Sequence, residues 1–430
     1  MAVVRDLVVR GGTVVDATGT RRADVLVRAG HIVAVADDID PPARAEVLDA
    51  SGCTVAPGLV DLHAHLRQPG REEAETVDTG ARAAALGGYT AVVAMPNTDP
   101  AIDCAAVVRE VLDLGSTAAC DVHVAGAITV GRAGQRLAPL AEMAALGVRL
   151  FTDDGAGVQD SRLMRRALEY ASALDITLAQ HCEDAALASG GHMHEGEWSS
   201  HLGIPGVPAE AEELMVLRDI ALARLTGTRM HFLHLSVAAA LDAVRAAKGA
   251  GLPVTAEAAP HHFTLDDSVV ASYDPVFKVN PPLRPTADVE AVRVALGDGT
   301  LDAIATDHAP HTQEDKEAPF DEAPPGMLGL ETALALALTE LSLPLERVLA
   351  LLSWQPARIA GLEAEHGGPV AEGRPAHLCV IDPATVWVVE PEKLASRSRN
   401  TPYGGRKLTG RVRHTVLGGE AVVIDGQAQR

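Results

Sequence analysis

Hydrophobic and polar positions follow two different patterns along the chain. Both ends consist of short β-branched runs broken by glycine turns, as in DLVVRGGTVVD near the start and RVRHTVLGGEAVVIDG near the end. Such runs predict β-strands. Because two strand-rich ends surround a different middle, we expect one small composite β-sandwich domain built from residues 1–55 and 366–430.

The middle of the chain, residues 56–365, alternates short apolar runs with amphipathic segments of helical spacing. Ala/Leu-rich segments at 161–174 and 210–225 show the helical pattern. Eight strand–helix units favour an α/β fold in which a (β/α)8 TIM barrel is preferred over a doubly wound sheet. The predicted barrel strands are 58–62, 89–94, 121–126, 148–152, 176–180, 230–235, 253–257 and 301–306.

Metal-binding side chains follow several of these strands, at the ends where barrel enzymes carry their active sites. His63 and His65 are two residues apart on the first strand, so both can face the barrel axis. Imidazole and carboxylate together suit zinc or a similar divalent ion, and four histidines with two aspartates are too many for one ion. The sequence therefore predicts a two-metal centre. The candidates that follow other strands are Asp153, Asp154, His181, His234 and Asp307.

Other polar residues near the strand ends have more ordinary interpretations. His192 and His194 lie in a glycine-rich stretch that predicts a solvated loop. His231 is three residues before His234, so strand alternation predicts that it faces the helices. The remaining residues are expected to be structural: His261 and His262 as supporting groups, Cys104 and Cys182 as small buried hydrophobes, and Asp103, Glu183 and Asp184 as helix caps or acceptors for loop amides.

Composition restricts the partners. The formal net charge of −22 argues against nucleic acid and anionic membrane surfaces, and no apolar run reaches the roughly 20 residues of a membrane span. Five cysteines without paired spacing, and a start without an apolar signal core, predict a cytoplasmic protein with reduced thiols. An anionic substrate then requires a local positive group, either arginine or metal.

Seven motifs together identify a family resemblance. In chain order they are PGLVDLHAHLRQPG, GGYTAVVAMPNT, TDDGAGV, QHCED, HFLHLS, KVNPPLR and ATDHAPH. The set resembles the amidohydrolase superfamily and is most similar to the bacterial type I dihydroorotases, whose composite sandwich domain fits the two chain ends. The HxH and DHAPH motifs alone would also fit hydantoinases and allantoinases.

The bridge between the metals separates these groups. Hydantoinases and allantoinases resemble one another in using a carbamylated lysine on strand four, whereas the type I family uses an aspartate. This chain has five lysines, and none lies between Met1 and Arg245. Strand alternation leaves Asp153 and Asp154 as alternatives, and the family's spacing selects Asp154.

The resemblance implies two zinc ions per subunit, bridged by Asp154 and a hydroxide. One zinc would be held by His63, His65, Asp154 and Asp307, and the other by Asp154, His181 and His234. The implied substrate contacts are His65, Arg67, Asn97, Asn280, His311 and the backbone at Pro325 and Gly326. The family commonly has an aromatic residue where this chain has Pro325. The alternative interpretations, less favoured, are a structural salt bridge for Arg67 and a turn for Asn97.

The implied activity is the reversible cyclisation of N-carbamoyl-L-aspartate to (S)-dihydroorotate, the third step of pyrimidine synthesis, with Asp307 as general acid and base. The alternatives are another cyclic amidohydrolase, such as a hydantoinase or allantoinase, and a non-catalytic partner subunit. We also expect a homodimer, and association with aspartate transcarbamoylase is left open. The charged, Pro-rich stretch 312–326 is either a lid or a plain surface loop.

Overall fold

The N-terminal segment folds into short strands separated by tight turns. The computed structural model describes residues 6–430; residues 1–5, which begin the predicted sandwich segment, lie outside the described residues. Ala29 and Gly30 have positive φ angles of 50° and 81°, as a two-residue hairpin turn requires. The strands are β1 (Leu7–Arg10), β2 (Thr13–Asp16), β3 (Gly19–Arg22), β4 (Asp24–Arg28), β5 (His31–Ala36), β6 (Glu46–Asp49) and β7 (Thr54–Pro57).

The middle of the chain contains the barrel strands and one small separate pair. The barrel strands are β8 (Leu59–Ala64), β9 (Tyr89–Ala94), β10 (Asp121–Val124), β11 (Leu150–Thr152), β12 (Thr177–Gln180), β15 (Met230–Phe232), β16 (Val254–Ala258) and β17 (Ala303–Ile304). The short strands β13 (Met193–His194) and β14 (Gly206–Val207) pair with each other outside the barrel.

Parallel pairing closes these strands into a barrel. β8, β9 and β10 form one sheet, and β11, β12, β15, β16 and β17 form a second. A parallel bridge from Gly126 to Phe151 joins the two sheets on one side, and a bridge from Ala64 to His308 joins them on the other. The predicted (β/α)8 barrel is therefore confirmed.

Helices follow most of the barrel strands and pack around them. The predicted helices at 161–174 and 210–225 are present as α4 and α7. The helices are α1 (Val77–Leu86), α2 (Ala105–Gly115), α3 (Leu140–Ala144), α4 (Ser161–Ala171), α5 (Ala185–Ala188), α6 (Glu197–Leu202), α7 (Glu210–Thr226), α8 (Ala238–Gly249), α9 (Pro260–Thr264), α10 (Thr286–Asp298), α11 (Gln313–Glu317), α12 (Ala333–Glu340), α13 (Leu345–Leu349) and α14 (Gln355–Ile359). Within residues 6–430, no helix is long and apolar enough to cross a membrane.

The C-terminal segment completes one of the two sheets that the N-terminal segment begins. Its strands are β18 (Leu378–Val388), β19 (Lys407–Leu417), β20 (Glu420–Ile424) and β21 (Gln427–Ala428). One sheet has the order β21-β20-β19-β18-β7-β2-β3, and a second has the order β5-β4-β1-β6. Val9, Val25, Val55, Val380 and Val416 are buried in the core of this β domain. Both ends of the chain therefore build one β domain, as their sequence pattern predicts.

Candidate metal centre

Asp154 lies at the centre of a buried cluster of four histidines. It follows β11, and its two carboxylate oxygens face different histidines. Oδ2 is 3.4 Å from Nε2 of His63 and 3.7 Å from Nε2 of His65. Oδ1 is 3.5 Å from Nδ1 of His181 and 3.5 Å from Nε2 of His234. One carboxylate thus joins two groups of nitrogen donors.

Asp153, the alternative that strand alternation left open, faces away from this cluster. Its carboxylate accepts a hydrogen bond from the backbone nitrogen of Thr129 at 3.0 Å and a second from the Thr129 hydroxyl. These bonds hold Asp153 against the loop that follows β10. Of the two aspartates, Asp154 is therefore the one that lies between the two groups of histidines.

Asp307 completes the cluster on the side of His63 and His65. Its Oδ1 is 3.2 Å from Nε2 of His65 and 3.6 Å from Nε2 of His63. Its Oδ2 has no hydrogen bond to the described residues, and the nitrogen of His261 is 3.9 Å away. Burial opposes ionisation of Asp307, but the hydrogen bond to His65 and the charge of His63 outweigh it and lower the pKa. Asp307 is therefore an ionised carboxylate with one free oxygen.

Two further side chains set the orientation of the first histidine pair. Nδ1 of His63 lies 3.1 Å from Oε1 of Glu257, and Nδ1 of His65 lies 2.9 Å from Oδ1 of Asn97. Each oxygen can accept the Nδ1 proton, which leaves Nε2 of the ring free to bind a metal. Glu257 is not among the residues predicted from the sequence; the only signal for it is an acidic residue inside the otherwise apolar strand β16.

The prediction that His231 faces the helices is wrong. Its Nε2 lies 3.0 Å from Oε2 of Glu257, the carboxylate that also binds His63. The prediction assumed that one strand carries both His231 and His234. The strand β15 ends at Phe232, and His234 has a φ angle of 32°. Strand alternation therefore does not extend to His234, and His231 supports the cluster from within the barrel.

The donor atoms fit divalent metal ions. Nε2 of His63 is buried and has no hydrogen-bond partner in the described chain. His63, His65 and Asp154 form one group of converging ligand atoms, and Asp154, His181 and His234 form the other. Donor atoms bound tetrahedrally at zinc distances are about 3.3 Å apart, close to the spacings around Asp154. The two ligand groups therefore share one carboxylate, that of Asp154.

Arg67 lies beside this cluster as a buried cation without a carboxylate partner. It is 8% exposed, and its Nε donates a hydrogen bond to the carbonyl of Pro310 at 3.0 Å. Burial lowers its pKa to about 10, a value at which it stays protonated at neutral pH. No ion pair forms between Arg67 and any carboxylate among residues 6–430, so the structural salt bridge considered above is absent. A buried unpaired guanidinium is costly unless an anion joins it.

The other predicted substrate contacts lie next to the histidine cluster or to Arg67. The amide nitrogen of Asn280 is 3.3 Å from Nε2 of His181, and Nε2 of His311 is 3.3 Å from Arg67 Nη2 and 2.9 Å from the carbonyl of Pro325. The backbone of Gly326 is already engaged: its nitrogen donates to the Lys278 carbonyl and its carbonyl accepts from Asn400. Contact of Pro325 and Gly326 with substrate stays a prediction.

The remaining histidines lie outside both ligand groups. The prediction of a solvated loop is wrong for His194, which is 8% exposed on β13 and lies 3.1 Å from Arg284. His192 is partly buried beside Lys278. His261 and His262 are buried and support the site from α9, as expected. Asp184 caps α5, as expected.

Known structures share this architecture over nearly the whole chain. A dihydropyrimidinase from Brevibacillus agri superimposes with a TM-score of 0.86 at 24% identity, covering 99% of this chain and 96% of that one. A D-hydantoinase (dihydropyrimidinase) from Thermus sp. superimposes with a TM-score of 0.83 at 25% identity, covering 98% and 96%. These likenesses establish the fold.

The barrel and its ligand cluster define a metal-dependent cyclic amidohydrolase. The Dihydro-orotase-like family matches residues 52–239. A dihydroorotase of Anaeromyxobacter dehalogenans is 49% identical over 99% of both chains, and one of Streptomyces coelicolor is 49% identical over 97% of this chain and 98% of its own. The chain belongs to the dihydroorotase family.

Proposed function

We propose that this protein interconverts N-carbamoyl-L-aspartate and (S)-dihydroorotate at a centre of two zinc ions. The observation that carries the substrate assignment is the buried, unpaired guanidinium of Arg67 beside the ligand cluster. Full-length relatives named dihydroorotase support the same reaction. The two ligand groups that share Asp154 support the metal count.

The proposed ligands divide between the two ions according to the contacts of Asp154. His63, His65 and Asp307 would hold one ion, His181 and His234 the other, and Asp154 both. When bound, the two cations would lower the pKa of a bound water molecule to about 7, so that it ionises near neutral pH, and would polarise the amide carbonyl.

Asp307 would carry the proton in both directions. In ring opening, its free Oδ2 takes a proton from the attacking water and passes it to the departing ring nitrogen. Ring closure reverses the transfer. Oδ1 of Asp307 lies beside Nε2 of His65 and would bind the same ion, whereas Oδ2 has no hydrogen bond to the described residues, so the proton-carrying oxygen meets no competing donor.

The substrate carboxylate would lie against Arg67. Guanidinium binds carboxylate through two parallel hydrogen bonds, which an ammonium group cannot match. Asn97, Asn280 and His311 would complete the binding site. The oxygen of Asn97 faces His65, so its amide nitrogen is the atom left for substrate. Arg67 and the metals thereby supply positive charge that the protein as a whole, with a formal charge of −22, does not.

One assay separates this function from its alternatives. Purified protein loaded with zinc is incubated separately with dihydroorotate, hydantoin and allantoin, and ring opening is followed for each. We expect turnover of dihydroorotate alone, and turnover of hydantoin without dihydroorotate would overturn the assignment. A zinc content near zero together with no turnover would instead favour the non-catalytic partner subunit.

Cellular setting and assembly follow as parts of the same proposal. We propose a cytoplasmic enzyme acting on a small molecule, and the described cysteines are all free thiols, as is usual in that compartment. A homodimer, association with aspartate transcarbamoylase, and closure of residues 312–326 over substrate stay predictions. Within that stretch, α11 is capped by Thr312, and Lys316 donates to the carbonyls of Pro275 and Pro324.

A further inference from the structure

A second group of metal-binding side chains lies at the opposite end of the barrel from Asp154. Asp121 is the first residue of β10, whereas the Asp154 cluster follows the ends of the strands. His366 follows α14, and His377 directly precedes β18. Asp121, His366 and His377, here called the junction cluster, therefore lie where the barrel meets the β domain.

The ligand atoms of the junction cluster converge. One atom from each residue lies within 4.8 Å of the others. Oδ2 of Asp121 is 3.1 Å from Nε2 of His366, and the rings of His366 and His377 have centroids 4.2 Å apart. The side chain of Asp121 is 45% exposed, so an ion can reach the cluster from solvent.

A buried nitrogen without a well-aligned hydrogen bond points into the cluster. His366 is fully buried, and its Nε2 makes no hydrogen bond of normal geometry in the described chain, although Oδ2 of Asp121 lies 3.1 Å away. Nδ1 of the same ring lies 3.1 Å from the hydroxyl of Thr90, which can accept its proton. Thr90 thus leaves Nε2 as the free donor atom, as Glu257 does for His63.

The other nitrogens of the cluster are weakly engaged. Nδ1 of His377 accepts a hydrogen bond from the backbone nitrogen of Gly418 at the long distance of 3.3 Å. Nε2 of His123 is also buried without a partner, and its ring centroid is 5.8 Å from that of His366.

We propose that Asp121, His366 and His377 bind a third divalent ion, of the zinc class, separate from the catalytic pair. Two imidazoles and a carboxylate are donors that zinc prefers, and His123 lies close enough to act as a further ligand or to support one. A simple ion pair between Asp121 and His366 would explain one contact. It would not explain why His377 and His123 bring further ring nitrogens to the same place.

The ion would join parts of the chain that are distant in sequence. Asp121 belongs to a barrel strand, and the carbonyl of His377 accepts a hydrogen bond from Gly58, directly before β8. Binding at the junction cluster would therefore stabilise the contact between the barrel and the C-terminal strands. Since only the folded chain brings the ligands together, zinc should raise the melting temperature.

The first test measures the difference in bound zinc between wild type and variants. This difference does not depend on how many ions the catalytic site holds. Full-length wild type, Asp121→Asn and His366→Gln are dialysed against the same micromolar free zinc, and metal per chain is measured by mass spectrometry. We expect each variant to hold one equivalent less than wild type. His201→Gln, which alters an exposed histidine on α6, should hold the wild-type amount. Equal zinc content in wild type and both variants would overturn the proposal.

The second test uses stability and keeps the proposal separate from the proposed function. Zinc is titrated into chelator-treated protein, and the melting temperature is followed. We expect the wild type to gain a second, additional increase that Asp121→Asn lacks; identical curves would contradict a third ion. If His366→Gln fails to fold, Asp121→Asn still decides, since its side chain is half-exposed. Loss of one zinc equivalent in Asp121→Asn assigns that ion to the junction cluster, whether or not the wild type turns over dihydroorotate.

Discussion

Glu257 binds two histidines at once: its Oε1 lies 3.1 Å from Nδ1 of His63, and its Oε2 lies 3.0 Å from Nε2 of His231. Burial opposes its ionisation, but the hydrogen bonds to His231 and His63 outweigh that cost and lower the pKa of Glu257 to about 2. The carboxylate is therefore charged and accepts from both rings. It determines which nitrogen of His63 faces Asp154.

Replacing Glu257 by Gln should weaken metal binding without removing a ligand. Glutamine has one accepting oxygen, so it can accept a hydrogen bond from only one of the two rings. Its NH2 group would then face the N–H group of the other ring, and two donors repel. We expect metal affinity to fall about 10- to 100-fold, measured by competition with a chelator. Glu142→Gln, an exposed change on α3, is the matched control. Unchanged affinity in Glu257→Gln would contradict a positioning role.

Arg67→Lys should reduce recognition of the substrate carboxylate. It keeps the positive charge but loses the paired hydrogen bonds. We expect kcat/KM for dihydroorotate to fall about 100-fold, equivalent to about 2.7 kcal/mol. Arg82→Lys, on the exposed side of α1, should change it little. A ring amide without the carboxylate, dihydrouracil, provides the second control. If Arg67→Lys lowers turnover of both compounds equally, Arg67 does not bind that carboxylate.

Asp307→Ala should stop turnover while leaving most of the metal in place. The other five ligands remain, but the proton carrier is lost, so we expect kcat to fall by at least about 100-fold. Zinc content and kcat are measured on the same preparation. Turnover within a few-fold of wild type would refute the acid–base role. Complete loss of metal would show that Asp307 acts mainly as a metal ligand.

Glu331→Gln should stabilise the protein above neutral pH. Burial and the nearby charge of Glu75 raise the pKa of Glu331 to about 7, although two backbone amides donate to it. The folded state therefore keeps a proton that the unfolded state releases near its ordinary pKa of 4.5. The contribution of Glu331 to the free energy of unfolding is therefore fully present below pH 4.5. It is lost as the pH rises through 7, by about 3 kcal/mol in total.

Urea unfolding at pH 5 and pH 8 checks this prediction. Glutamine mimics the protonated acid, so the advantage of Glu331→Gln over wild type should be small at pH 5 and large at pH 8. Glu372→Gln, an exposed change, should show no such difference between the two pH values. An equal effect of Glu331→Gln at both pH values would show that its ionisation does not control stability.

The barrel was predictable because each strand is a short apolar run bounded by turn residues. The strand at 89–94 matches β9 at both ends. The predicted strand 230–235 is three residues too long. The strand β15 ends at Phe232, but the apolar run continues beyond it. Leu233 keeps the chain buried while His234 adopts a left-handed backbone. Hydropathy reports burial, and it does not report where a strand stops.

The ligand cluster could be predicted only in part, because some of its contacts join residues that are distant in sequence. The spacing of His63 and His65 on one strand identifies them as candidate ligands from the sequence. Glu257 is a single acidic residue in its segment, and its role depends on contacts with histidines that are distant in sequence. Asp153 and Asp154 are adjacent and chemically identical. Only the hydrogen bonds from Thr129 separate them, and no local pattern encodes those bonds.

The pairing of β7 with β18 has a consequence for synthesis on the ribosome. Strands β2, β3 and β7 emerge early, yet β18, which continues their sheet beyond β7, is among the last strands to be translated. The nascent chain must hold an open sheet edge while the whole barrel is made, and such edges pair readily with other chains. A polypeptide that stops before β18 keeps that edge exposed, so premature termination should yield aggregating chains rather than a truncated enzyme.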